Sequence, residues 1–127
     1  MAGDDRVKDS SNSIDNLKEN LRGNPQELSN YLRLAWAHYG EADYESALTT
    51  IQNARDRFPD DYEVAYAMGL ILKKMGNMHE AQKVFREVIR LSDGIADETR
   101  ARMLRRFAVG HANMIEDGDW NLKGEVW

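Results

Sequence analysis

Apolar residues along this chain recur at helical spacing. Tyr31, Leu34, Ala35 and His38 fall at i, i+3, i+4 and i+7, and Ala47, Leu48, Ile51 and Ala54 repeat the pattern one segment later. Ile14, Leu17 and Leu21 form a thinner stripe upstream. Between paired segments stand Gly40-Glu41-Ala42-Asp43 and Gly76-Asn77, while Asn24-Pro25 and Phe58-Pro59-Asp60-Asp61 separate one pair from the next. Proline suits a first helical turn, where its missing N–H costs nothing. The spacing predicts about seven helices, near 12–22, 25–39, 44–57, 61–75, 78–91, 96–117 and 120–126, with no strand.

The segments also repeat as pairs. A shift of 34 residues superposes Leu34-Ala35 on Met68-Gly69, Ala42 on Gly76, Tyr44 on Met78, Ala47 on Ala81, Ile51 on Phe85 and Ala54 on Val88. Small residues fall on small and large on large. Pro25 goes onto Pro59 and then Asp93, and Ser13 and Leu17 go onto Ala47 and Ile51, so at least two and a half helical hairpins are present.

This pattern resembles the tetratricopeptide repeat, a 34-residue helical hairpin reading W-x2-L-G-x2-Y, then A-x3-F, then P. Tyr31, Leu34, Ala35, His38, Ala47, Ile51, Ala54 and Pro59 fill the frame once; Ala65, Met68, Gly69, Leu72, Ala81, Phe85, Val88 and Asp93 fill it again. His38 stands where the family has tyrosine and Asp93 where it has proline. The resemblance implies an all-α solenoid of antiparallel hairpins. The expected organisation is a disordered tail at 1–10 and one domain over 11–127, made of a half repeat at 11–23, repeats at 28–61 and 62–95, and an irregular cap-like unit at 96–127. Small residues let the two helices of a hairpin approach closely, with Ala35 expected to face Ala47 and Gly69 to face Ala81.

Beyond Asp93 the period breaks. Gly118-Asp119-Trp120 looks like a hairpin turn, yet it follows Gly76 by 42 residues rather than 34. A lengthened first helix accounts for the difference and leaves 120–127 as a short partner. Leu122, Val126 and Trp127 are more apolar than a solenoid cap needs, so this end is expected to contact something, as a homodimer or as a piece of a longer array.

Composition narrows the chemistry. The chain has 127 residues, no cysteine and a formal charge of -5, distributed as -5 over 1–61, +3 over 62–115 and -3 over 116–127. Without cysteine there is no disulfide framework, thiolate zinc site or thiol nucleophile. The polar start and the lack of a long apolar run point to a soluble, cytoplasmic protein with no membrane contact. His38, His79 and His111 share no face at ligand spacing, and no catalytic or phosphate-loop motif occurs, so neither enzyme activity nor a cofactor or metal is expected. Arg100, Arg102, Arg105 and Arg106 read as a solvated helix face, and the acidic balance argues against nucleic acid.

The function then lies on the surface. In the family that the chain resembles, the first helix of each hairpin lines a concave groove. Removing the packing stripe from these helices leaves Leu32, Trp36 and Tyr39, then Tyr66, Leu70 and Lys73 with Lys74 beside them, and, registered on Gly118, Ala108, Ala112 and Ile115. The resemblance thus implies a groove that binds a protein or peptide. Leu32 and Trp36 stand where the family's clamp for a C-terminal carboxylate uses lysine and asparagine, which argues against chaperone tails. A structural reading competes, in which the N-terminal helix or a second copy covers Trp36 and Tyr39, and the alternative function is self-association through apolar ends or grooves.

Overall fold

The computed structural model describes residues 13–93 and 99–117. Contacts divide the chain into two units, one running to Arg57 and the other from Phe58. Among the described residues there are six helices and no strand. The expected residues 1–10 tail and the segment from Gly118 to Trp127 lie outside the described residues.

In the first unit, α1 (Ile14–Gly23) packs on α2 (Leu28–Gly40), which pairs with α3 (Tyr44–Arg57). Ser13 caps α1, its hydroxyl accepting from Asn16 N at 3.2 Å, and Asp15 and Arg22 complement the helix dipole at the two ends. The unit's core is the predicted stripe: Tyr31, Leu34 and Ala35 of α2 against Ala47, Ile51 and Ala54 of α3, closed by Leu17 of α1.

The second unit contains α4 (Tyr62–Lys74), α5 (Met78–Ser92) and α6 (Thr99–Asp117), with α5 packed against both others. Phe85 and Ile71 are among its fully buried side chains, and Val64, Ala65, Leu72, Ala81 and Val88 are buried in the same core. Gly69 is needed here, though its nearest neighbour differs from the expected one. A Cβ at Gly69 would meet the Phe85 ring at 2.6 Å, so the missing side chain is room for an aromatic ring.

One helix start also differs. Pro25 lies in a turn three residues ahead of α2 rather than inside its first helical turn, whereas α4 starts at Tyr62, one residue from the expected 61. The Pro25 carbonyl accepts from the Tyr31 hydroxyl at 2.8 Å, and Asn30 Nδ2 donates to the carbonyls of Asn20 and Asn24, which fixes the α1–α2 corner from α2's own side chains. At the second start Asp61 is the N-cap, accepting from Glu63 N at 2.9 Å and Val64 N at 3.0 Å.

Both hairpins turn the same way. Asp43 N donates to His38 O and Ala42 N to Tyr39 O; 34 residues later Asn77 N donates to Leu72 O and Gly76 N to Lys73 O. This is the Schellman closure, which places its C′ residue in the left-handed region. Gly76 has φ +82° and Ala42, at the matching position, φ +62°.

Candidate functional site

On α2 the face left free by packing carries Leu32, Trp36 and Tyr39. Trp36 is 38% exposed, while Leu32 and Tyr39 are half-buried. Tyr39 makes edge-to-face contacts with Trp36 on one side, centroids 5.4 Å apart, and with Tyr44 of α3 on the other, 5.5 Å apart. Such pairs hold aromatic rings in fixed orientation and contribute about 0.5 to 1.5 kcal/mol each. Packing α1 onto α2 through buried Leu17 leaves Trp36 exposed.

A different face of α2 borders the unit's concavity, a cavity of about 590 Å³ between α1 and α3. Its floor is Tyr31 and Leu34, each 5% exposed, and its walls carry Lys18, Arg22, Asp56 and Arg57. Half-buried Leu21 and Pro25 add apolar surface to the same lining. His38, in the same stripe, is 5% exposed, and its Nδ1 has no hydrogen-bond partner, with Asp43 Oδ2 3.9 Å away.

On α4 the corresponding face is Tyr66, Leu70 and Lys73, all half-buried, with Lys74 exposed. Sequence reasoning gave its neighbour no role. His111 of α6 lies against this face, Nδ1 3.0 Å from Lys73 Nζ and Nε2 3.5 Å from the Tyr66 hydroxyl. Its ring stacks on Phe85 at 4.7 Å with an interplanar angle of 11°. Burial, helped by the Lys73 ammonium, pushes the His111 pKa down to about 4. The neutral ring therefore accepts from Lys73 at Nδ1 and keeps its proton on Nε2, toward Tyr66.

The α6 residues assigned to the groove from Gly118 require correction. Ala108 and Ala112 are buried, continuing a stripe begun by Ala101 and Leu104, and Ile115 is half-buried. Phe107 and Met114 are the exposed apolar residues beside His111 in sequence. A 42-residue offset carries the frame of α4 onto the wrong side of α6, because the small residues that pack on α5 follow α6's own spacing.

The arginines of α6 are also not simply solvated. Arg100 pairs with Glu63 of α4 at 2.7 Å, and Arg105 donates to Ile89 O of α5 at 3.0 Å and to Asp93. Arg102 is exposed. These contacts fasten α6 to its neighbours, so Arg100 and Arg105 serve packing.

Among the described residues no group of three or more histidine and acidic side chains could hold a metal ion, and no helix is long and apolar enough to cross a membrane. Comparison with known families matches residues 29–61, and separately residues 62–94, to the Tetratricopeptide repeat. The chain belongs to the tetratricopeptide repeat family, whose members generally mediate protein–protein interactions. No curated protein matches the chain closely enough to count as a relative.

Proposed function

We propose that this chain is a non-catalytic adaptor that binds a protein or peptide segment on the faces its family turns toward the concave groove. Leu32, Trp36 and Tyr39 supply an aromatic anchor from α2, and Tyr66, Leu70, Lys73 and Lys74 supply a mixed apolar and cationic surface from α4. The observation that carries the reading is Trp36. Its indole is 38% exposed yet oriented by Tyr39, which is in turn held by Tyr44. Pre-oriented tryptophan and tyrosine dominate binding hot spots because they bury a large area with few torsions to freeze. A large apolar ring left outside the packing stripe of Tyr31, Leu34, Ala35 and His38 favours a role outside folding.

The test is to insert a photo-crosslinking side chain at Tyr39 in the full chain, irradiate in cells of the native source and identify the adduct. Recapture of the same protein by the purified chain, lost with Trp36→Ala, supports the adaptor. An adduct only to a second copy of the chain replaces it with self-association, in which Leu122, Val126 and Trp127 are the proposed contacts. Sedimentation at several concentrations, comparing the wild type with Trp127→Ala, then tests that interface.

A further inference from the structure

We propose that Lys73 is the receptor for a carboxylate of the bound partner, and that His111 is the positioning residue that holds its ammonium ready. The inference rests on the adaptor reading for α4 and adds the partner's chemistry: an acidic side chain of a protein segment, seated on the second unit.

An ammonium has three donors. One goes to His111 Nδ1 at 3.0 Å, and no ion pair among the described residues engages the others. Two carboxylates of the unit are engaged elsewhere: Glu63 pairs with Arg100 at 2.7 Å, and Glu116 accepts from Arg86 at 2.7 Å and from Gln82 at 3.3 Å. Lys73 is thus a half-buried cation whose partner is a neutral ring. In less than full solvent its charge is poorly screened, and an incoming anion gains correspondingly more.

His111 can do this positioning because three elements fix it. Phe85 of α5 stacks on one face of its ring, 4.7 Å away, the Tyr66 hydroxyl of α4 stands 3.5 Å from Nε2, and α6 carries its backbone. Burial keeps the ring neutral, so it accepts from the ammonium instead of repelling it. An ammonium held this way loses less freedom when it binds. One monovalent cation beside a neutral imidazole matches one carboxylate; a phosphate dianion is better served by a guanidinium fork or paired cations.

The experiment is nuclear magnetic resonance of the full, isotopically labelled chain, titrated at low salt with blocked hexaglutamate, with hexaglutamine and a phosphoserine peptide as comparisons. Hexaglutamate is expected to shift the His111 ring and Lys73 signals saturably. Lys73→Met should weaken that binding about tenfold, the loss of one charge-assisted hydrogen bond, and Lys73→Arg should restore most of it. In Lys73→Met the His111 pKa should also rise, because the neighbouring cation is gone, which checks that the ammonium is held against the ring as the proposal requires. Equal binding by wild type and Lys73→Met overturns the proposal, as does a His111 pKa that stays put in that variant. Tighter binding of the phosphoserine peptide overturns the choice of a carboxylate. Because the titration needs no native partner, its failure is distinct from failure of the crosslinking experiment.

Discussion

Phe85 closes over Gly69. The ring of a fully buried phenylalanine on α5 occupies the volume that any side chain at position 69 of α4 would need, down to 2.6 Å from an ideal Cβ. Phe85 also lies under the His111 ring, so the glycine, the phenylalanine and the histidine form one stack from the hairpin contact toward the candidate site.

Gly69→Ala is therefore expected to destabilise the second unit, although alanine favours helix over glycine by nearly 1 kcal/mol. The clash is with a ring that is 0% exposed, so relieving it means shifting a packed core side chain. A net loss of about 1 to 3 kcal/mol is expected, and Gly69→Leu should lose more. Denaturant midpoints measure both.

Trp36→Ala should leave the fold nearly intact. A core tryptophan truncated to alanine costs about 3 to 5 kcal/mol, but an indole that is 38% exposed and contacts Tyr39 by its edge should cost about 1 kcal/mol. Thermal unfolding beside partner capture checks it. A loss of 3 kcal/mol or more places Trp36 in the core and removes the anchor from the adaptor reading.

Stability should depend on pH through His111. Its folded pKa is depressed to about 4 while the unfolded chain titrates near 6.5, so between these values the unfolded state binds more protons. The contribution is complete above about 6.5, falls as pH drops, and is exhausted near 4. Melting temperatures from pH 7 to 4 should fall more steeply in the wild type than in His111→Gln.

His38 offers the opposite test. Its buried Nδ1 lacks a partner, and one period later the same position is Leu72, which is 4% exposed and apolar. Replacing an unsatisfied buried polar group by a hydrocarbon of similar size removes a desolvation penalty of about 1 to 3 kcal/mol. His38→Leu should therefore raise stability by about 1 kcal/mol, read as a higher denaturant midpoint.

The hairpins were legible in the sequence because packing writes itself at fixed spacing. Tyr31 to Ala54 and Ala65 to Val88 repeat the same small and large slots, and each is buried or half-buried as that frame requires. The positions of α2 and α4 outside the packing stripe followed by subtraction. His111 did not, because its part in the site depends on the register of α6 against α4 and α5, and the broken period erased that register. The identity of Gly69's neighbour was hidden for a related reason: spacing along one helix says which side is small, while the side chain that fills the space comes from rotamer directions on the other. Pro25 was misplaced because the carbonyl that Tyr31 uses sets the start of α2 later than proline preference alone suggests.

The left-handed corner at Ala42 has a consequence for how this chain could change. Gly76 adopts that geometry without a Cβ, whereas Ala42 at φ +62° carries its Cβ toward the following carbonyl. The strain of about 1 to 2 kcal/mol exceeds what glycine would lose to unfolded-chain freedom, so Ala42→Gly should gain about 0.5 to 1 kcal/mol. Thermal unfolding of that variant measures it. One residue difference thus separates the two corners of an otherwise shared plan, with the same handedness at Ala42 and Gly76. Ala42 marks headroom: a place where the first hairpin can absorb a harmful mutation elsewhere by adopting the solution its neighbour already has.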